Sequence, residues 1–395
     1  MDRARPMPNG TNGKGAKVQK AKPKWKTFSV RAGIDLPFLT IVVALVAIGL
    51  VMLFSASYAY AQHIYGDSYH FIKQQLIFAV LGVVIMIAVS YFDYHRLHKL
   101  AVPLLVLSYL LLIVVLFMAP RNGARRWISI GAGTFQPSEI TKFAIVTAFA
   151  HFISINYKKM NKFSTGILPY VLIFGSSAAL LVLEPHLSCT IIVFCLTFFM
   201  LFIGGVQKKW VIIVVAVIAV LGYIALFTDL IPYASDRIQV WRDPFGFPDA
   251  NKSHQTRQSL YAIGSGGFLG LGLGNSRQKY LYLPEPQNDF IFAVVCEELG
   301  FVGALIIMAI FAMLVWRGFV ISLKAPDKFG TLLGMGLTAQ VGLQVLLNIA
   351  VVTNSVPNTG ISLPFFSSGG TSLVMLLAQM GIILSISRTA RMEKS

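Results

Sequence analysis

Long uninterrupted runs of apolar residues dominate the sequence, and they restrict the folds that the chain can adopt. A helix needs about 20 consecutive apolar residues to cross the hydrocarbon core of a bilayer. Such runs, bounded by charged residues or by glycine and proline, occur at 37–61, 75–92, 101–119, 139–156, 167–183, 188–206, 210–228, 290–316, 329–353 and 369–387. The sequence therefore predicts an all-α polytopic membrane protein with ten transmembrane helices.

The composition excludes a soluble protein. Hydrophobic residues make up 56% of the 395 residues and charged residues only 12%, whereas soluble domains have about 45–50% and about 25%. The net charge of +17 could indicate a nucleic-acid partner. The positive residues instead concentrate in the N-terminal tail and in alternate loops, which is the pattern of cytoplasmic segments. We therefore expect both termini to be cytoplasmic and no nucleic acid to bind.

These features divide the chain into three parts. Residues 1–36 are predicted to form a disordered basic cytoplasmic tail, 37–388 the ten-helix membrane domain, and 389–395 the cytoplasmic C-terminus. A large extracytoplasmic loop, 229–289, separates the seventh and eighth predicted helices. Loops of this length are usually functional or disordered, so residues of this loop are candidates for a site.

Two arginines in the first long extracytoplasmic segment, Arg125 and Arg126, oppose the positive-inside tendency. A guanidinium group binds phosphate through two parallel hydrogen bonds, so an anionic partner is one interpretation. Contacts with lipid headgroups or with carboxylates of the protein itself are the alternative. Glu139 and Lys142 follow on one face of the fourth span, as either a functional group or a self-neutralising structural pair.

Four acidic residues, Glu285, Asp289, Glu297 and Glu298, surround the start of the eighth span. Asp289 could cap that helix, because aspartate accepts hydrogen bonds from the free N–H groups of a first turn. A carboxylate at the water boundary is also placed to act as a general base. Glu297 lies deeper and could belong to a proton relay.

Two glycine-rich segments interrupt the helical pattern. The segment 262–276 lacks the ending of a phosphate-binding loop, which argues against nucleotide binding. The segment 357–372 contains prolines and glycines that prevent a continuous helix at membrane depth. Irregular backbone is tolerated there only when it is buried in protein or lines a wet cavity, so we expect it to form one wall of an outward-facing cavity.

The residues leave three classes of function open. The first is an enzyme acting on an anionic lipid-linked substrate at the outer surface. The second is a transporter with a path through Glu297 and the polar ladder Gln340, Gln344 and Asn348. The third is a scaffold without catalytic activity. Most of the ionisable residues lie near the outer surface and not at the membrane centre, which favours the enzyme.

Three segments, 123–142, 258–300 and 357–372, resemble the SEDS family, the shape, elongation, division and sporulation proteins. The similarity runs through the chain from about residue 37 and is greatest to the division and sporulation branch. It implies a peptidoglycan glycosyltransferase that polymerises lipid II into β-1,4 glycan strands at the outer face of the bacterial cytoplasmic membrane. A role in septal synthesis during division, with a class B penicillin-binding protein and other divisome proteins as partners, is also implied.

The resemblance also implies roles for individual residues. The essential aspartate of the family matches Asp289, which would be the base of a single inverting displacement. Mg²⁺ or Mn²⁺ could bridge the substrate diphosphate, although the metal ligands are not identifiable. His186 departs from the family, since many members have an aspartate there. The candidate substrate-binding residues are Arg125, Arg126, Glu139, Lys142, Lys279, Glu285, Ser367, Gly369 and Gly370.

Overall fold

A computed structural model describes residues 33–120, 125–130, 133–207, 209–210, 212–216 and 232–390. The helices of this part of the chain are α1 (Leu36–Tyr65), α2 (His70–Ser90), α3 (Arg96–Leu116), α4 (Pro137–Asn156), α5 (Phe163–Gly166), α6 (Leu168–Leu183), α7 (Leu187–Ile203), α8 (Pro232–Arg242), α9 (Ala250–Gly266), α10 (Ile291–Leu323), α11 (Lys328–Val352) and α12 (Gly370–Thr389). The predicted helical class is confirmed.

Seven helices within the described residues are long and apolar enough to cross a membrane, namely α1, α2, α3, α4, α10, α11 and α12. Two more, α6 and α7, are apolar but only 16 and 17 residues long. These helices coincide with the predicted spans other than 210–228. Most of that seventh predicted span and most of the N-terminal tail lie outside the described residues.

Some local structure differs from the prediction. Two short strands, β1 (Ile128–Ile130) and β2 (Gly133–Phe135), form an antiparallel hairpin before α4, with Ser129 opposite Thr134. The segment 229–289, predicted as a large extracytoplasmic loop, contains the helices α8 and α9. The outer segments are therefore folded onto the helical bundle.

One end of the bundle is held together by a buried ion pair. Asp35 caps α1 by accepting a hydrogen bond from the Phe38 N–H over 3.0 Å. The same carboxylate receives two hydrogen bonds from the Arg317 guanidinium group, at 3.0 and 2.8 Å. The Ser387 hydroxyl accepts a hydrogen bond from the Asp35 N–H over 3.2 Å. The start of α1 and the ends of α10 and α12 therefore lie next to one another at this end of the bundle.

The glycine-rich segment 262–276 makes a close backbone crossing with α10. Gly300 interrupts α10 with a φ of 65°, and a Cβ at this residue would lie 2.2 Å from the Gly270 nitrogen. The freed backbone groups are paired across the crossing: the N–H groups of Leu271 and Gly272 donate to the carbonyls of Glu297 and Glu298, and those of Phe301 and Val302 to the carbonyls of Gly267 and Phe268. These bonds satisfy backbone groups that a broken helix in an apolar environment would leave unpaired. Gly270 and Gly300 therefore allow the backbones of the two segments to pack closely.

Candidate functional site

Asp289 lies immediately before α10, and its main chain is fixed by neighbouring elements. Asn348 of α11 donates from Nδ2 to the Asp289 carbonyl oxygen over 2.7 Å and to the Ile361 carbonyl oxygen over 2.6 Å. The Ser367 hydroxyl donates to the Asn288 carbonyl oxygen over 2.8 Å. The N-cap of α10 is Phe290, and no side chain caps this helix, so the capping role considered for Asp289 is wrong. Asp289 as a whole residue is half-buried.

The Asp289 carboxylate faces the segment 359–360 and the start of α7. A Cβ at Gly360 would lie 3.2 Å from Asp289 Oδ2 and 4.0 Å from Ser188 Oγ, and Gly360 has a φ of 73°. The Ser188 hydroxyl donates a hydrogen bond to the Thr359 carbonyl oxygen. The irregular segment 357–364 therefore forms a wall beside Asp289, and the outward-facing cavity stays a prediction.

Several charges act on the carboxylate of Asp289. Burial by the surrounding protein raises its pKa above the ordinary value, and the negative charge of Glu285 adds to this shift. The positive charges of Arg237 and Arg126 act in the opposite direction. Glu285 itself accepts a hydrogen bond from Asn288 Nδ2 over 2.8 Å. Asp289 therefore combines a partly desolvated carboxylate with nearby positive groups.

The two predicted arginines have different environments. Arg126 is half-buried, and its guanidinium group donates to the Pro185 carbonyl oxygen between α6 and α7. Arg125 is exposed and donates from Nη1 to the Leu116 carbonyl oxygen at the end of α3 over 2.8 Å. Of these two arginines, Arg126 is the one whose positive charge acts on the Asp289 carboxylate.

Glu139 and Lys142 form a buried ion pair on α4, with Lys142 Nζ 2.8 Å from Glu139 Oε1. His186 lies nearby and caps α7 by accepting a hydrogen bond from the Cys189 N–H at Nδ1 over 3.1 Å. Burial, together with the positive charges of Arg126 and Lys142, lowers the pKa of His186 to about 3. His186 is therefore neutral at pH 7, unlike the aspartate that the resemblance places there.

Lys279, which was predicted to bind substrate, is surrounded by groups of the protein. It is buried, and its Nζ donates to Glu298 Oε1 over 3.0 Å, to the Gly274 carbonyl oxygen over 2.6 Å and to Ser55 Oγ over 3.1 Å. The adjacent Glu297 is also buried and accepts hydrogen bonds from the N–H groups of Arg277 and Gln278. These partners hold the loop 274–279 against α10, which gives Lys279 and both glutamates a structural role.

The residues predicted from the segment 357–372 support the backbone of the site. Ser367 accepts a hydrogen bond from the Leu363 N–H over 2.8 Å while it donates to Asn288. The Gly369 N–H donates to Gln75 Oε1 of α2 over 3.2 Å. A Cβ at Gly370 would lie 2.0 Å from the ring of Phe78. Both glycines therefore contact α2, and their contact with substrate stays a prediction.

Sequence reasoning did not single out Arg237 or Glu184. The guanidinium group of Arg237 donates to the Asn358 carbonyl oxygen, which brings α8 next to the wall beside Asp289. Glu184 is the first residue after α6 and is buried close to Arg126. Arg237 is one of several charged residues in a long loop, so its position in the sequence does not mark it as a site residue. Glu184 was recognisable only as an acidic residue at the end of an apolar run.

The described residues contain no group of three or more His, Cys, Asp or Glu side chains arranged to hold a metal ion. A resident ion held by protein side chains therefore does not fit this part of the chain. Mg²⁺ often takes most of its ligands from water and substrate phosphates. The divalent cation implied by the resemblance stays a prediction.

A family described as "Cell cycle protein", FTSW_RODA_SPOVE, matches residues 36–392. The chain belongs to this FtsW/RodA/SpoVE family. The match includes every side chain of the site described above, from Arg126 to Gly370.

Relatives within the FtsW/RodA/SpoVE family cover nearly the whole chain. Stage V sporulation protein E of Bacillus subtilis is 39% identical over 364 residues, which are 90% of this chain and 98% of the relative. A protein named "Probable peptidoglycan glycosyltransferase FtsW" of Geobacter metallireducens is 37% identical over 358 residues, covering 89% and 94% of the two chains.

Solved structures of the FtsW/RodA/SpoVE fold are also similar to this chain. One belongs to a peptidoglycan synthase complex described as coordinating polymerization and crosslinking, with a TM-score of 0.75, 27% identity, and coverage of 90% of this chain and 98% of that chain. The rod shape determining protein RodA of Thermus thermophilus has a TM-score of 0.67 and 26% identity, and the match covers 91% and 98% of the two chains.

Proposed function

We propose that this chain is an inverting peptidoglycan glycosyltransferase that polymerises lipid II at the outer face of the cytoplasmic membrane. The observation that carries this proposal is the environment of Asp289, a half-buried residue whose carboxylate has a raised pKa and feels the positive charges of Arg126 and Arg237. The names of the FtsW relatives support the reaction class.

Asp289 is the general base in this proposal. Its ionised carboxylate takes the proton from the 4-hydroxyl of the acceptor GlcNAc as the oxygen attacks the anomeric carbon of the donor MurNAc. The bond from that carbon to the diphosphate breaks at the same time, so an α-linked donor gives a β-linked product. A raised pKa makes Asp289 a stronger proton acceptor than an ordinary aspartate, while the positive charges of Arg237 and Arg126 favour its ionised form.

Positive charge stabilises the leaving polyprenyl diphosphate. The Arg126 guanidinium group lies near Asp289. Its Nε atom is buried and has no hydrogen-bond partner among the described residues. Fixed positive groups aimed at developing negative charge lower the barrier without reorganising. Lys142 adds a positive charge beneath this site, although its ion pair with Glu139 reduces its field. Arg125 is a contact for the diphosphate or for lipid headgroups.

The proposed orientation follows from charge and from the two ends of the bundle. The end that contains Asp35, Arg317 and Ser387 is the cytoplasmic end, since the predicted positive loops belong to it. Asp289 and Arg126 belong to the other end, where lipid II would present its sugars. Ten spans with both termini inside complete this arrangement.

A class B penicillin-binding protein is the proposed partner, supported by the similarity to a synthase complex that combines polymerization with crosslinking. Septal synthesis in division is the proposed process. Transport of lipid II is the second candidate, and it requires polar groups along a path through the bundle. Glu297 and Asn348, which the transport interpretation would use, are instead bonded to backbone groups. This favours polymerisation.

The test uses the purified chain reconstituted with its penicillin-binding protein and supplied with lipid II. We expect wild type to form glycan strands and Asp289→Asn to lower the rate by at least ~100-fold, since general bases contribute about this much or more. Asp67→Asn is the control, because Asp67 is an exposed carboxylate paired with Lys73. Normal polymerisation by Asp289→Asn refutes the base assignment. Movement of lipid II by wild type without any polymerisation refutes the enzyme.

A further inference from the structure

Glu184 and Arg126 form an unusual buried pair of groups next to the proposed active site. Glu184 is 1% exposed, and neither of its carboxylate oxygens has a hydrogen-bond partner among the described residues. Arg126 Nε is buried and equally without a partner within that part of the chain. The same guanidinium group donates to the carbonyl oxygen of Pro185, the residue directly after Glu184. Two complementary groups are therefore adjacent but not bonded to each other.

An isolated buried carboxylate avoids its charge by binding a proton. Burial raises the pKa of Glu184 to about 8, while the positive charge of Arg126 opposes the shift. Other polar groups near Glu184 do not replace Arg126 as a partner. His186 is neutral, the Lys142 ammonium is already paired with Glu139, and Cys189 is a buried thiol.

We propose that Glu184 is a positioning residue that competes with the substrate diphosphate for the Arg126 guanidinium group. This inference rests on the proposed function, which assigns Arg126 to the diphosphate. When Glu184 is protonated, Arg126 is free to bind the anion. When Glu184 is ionised, it pairs with the free Nε of Arg126 after a short side-chain movement and holds the guanidinium group away from the substrate.

The competition couples anion binding to a proton. A diphosphate bound to Arg126 neutralises the positive charge that favours ionised Glu184, so binding promotes protonation of Glu184. Conversely, ionisation of Glu184 at high pH creates an internal competitor for Arg126. The affinity for a diphosphate is therefore expected to fall as the pH rises through the range in which Glu184 ionises.

The experiment measures binding of farnesyl diphosphate to the full chain in detergent between pH 6.5 and 9.5. We expect wild type to lose about fivefold in affinity between pH 8 and 9 relative to Glu184→Gln, since half of Glu184 is already ionised at its pKa and the loss approaches a factor of ten per pH unit only above it. The ratio of the two affinities, wild type to Glu184→Gln, removes the effect that protonation of the ligand has on both proteins. Proton uptake, measured by calorimetry in buffers of different ionisation enthalpy, is expected in wild type and not in Glu184→Gln.

Two further variants separate the inference from the proposal beneath it. Arg126→Gln is expected to weaken binding at every pH, and unchanged affinity in this variant refutes the assignment of Arg126 to the diphosphate. If Arg126→Gln weakens binding while wild type and Glu184→Gln share one pH profile, the role of Glu184 is refuted and the proposed function survives. Glu184→Asp keeps the titrating group and is expected to retain a pH-dependent affinity.

Discussion

Asn348 holds the candidate base through its main chain: the Asn348 amide donates to the Asp289 carbonyl oxygen over 2.7 Å. The same amide nitrogen also donates to the Ile361 carbonyl oxygen, over 2.6 Å. A single side chain of α11 thus ties the start of α10 to the irregular segment that faces Asp289. The position of the carboxylate depends on a residue that has no contact with substrate in the proposed reaction.

Replacing Asn348 with leucine is expected to lower turnover by at least ~10-fold with a smaller change in KM, because small displacements of catalytic groups are costly. Each unpaired buried carbonyl should also reduce stability by about 1–3 kcal/mol. Polymerisation kinetics and thermal unfolding of the variant measure both effects. Gln340→Leu is the matched control, since Gln340 lies on the same helix with Oε1 buried and without a partner among the described residues. Equal losses in both variants would contradict the positioning role.

Lys279→Met is expected to destabilise the protein by roughly 3–5 kcal/mol, because it leaves the buried Glu298 carboxylate without its cation. The double variant with Glu298→Gln should recover part of this loss. Thermal unfolding in detergent measures both changes. If Lys279→Met unfolds like wild type but has a raised KM for lipid II, the structural role is contradicted and the predicted substrate contact is supported.

Gly300→Ala is expected to lower the unfolding temperature strongly, because its φ of 65° is unfavourable for a side chain and its Cβ would meet the Gly270 backbone at 2.2 Å. Gly264 offers the comparison: it lies within α9 with nothing within 4 Å of an added Cβ. Gly264→Ala should stabilise the protein by up to about 1 kcal/mol. A tolerated alanine at Gly300 would contradict the backbone crossing.

Glu184→Gln is expected to stabilise the protein in a pH-dependent way. The folded state raises the pKa of Glu184 from 4.5 to about 8, so the folded protein binds more protons than the unfolded chain between these values. Wild-type stability must fall as the pH rises through this range, at most by roughly 1.4 kcal/mol per pH unit. Thermal unfolding from pH 5 to pH 9 should show a gap between variant and wild type that widens up to about pH 8 and then stays constant. A constant gap would be inconsistent with a raised pKa.

The acidic limb of the pH–rate profile reports Asp289. Activity should fall as the pH decreases through the raised pKa of this base, since only the ionised form accepts a proton. Glu285→Gln removes a negative charge that raises the pKa and should move the limb to lower pH. Arg237→Gln removes a positive charge and should move it to higher pH. Shifts of the same sign in both variants would argue that another group controls the limb.

Much of the fold was predictable because membrane spans are encoded locally. A run of apolar residues needs no distant partner to identify it, and nine predicted spans correspond to helices of the described residues. The irregular segment after α11 was also predictable, because proline and glycine restrict or free the backbone wherever they occur. The helices within 229–289 escaped prediction because their weak apolar pattern depends on packing against the bundle.

The sequence by itself determined the membrane class and the spans described here, which follow from local composition, and a motif marked Asp289 as the candidate base. Only the tertiary structure decided which charged groups meet. Lys279 pairs with Glu298, and Arg126 lies beside Glu184, 58 residues along the chain. Charge interactions act over a few ångströms in space, and the distance between two residues in sequence does not reveal that separation. Packing of the helices therefore divided the candidate residues into those near Asp289 and those that hold the protein together.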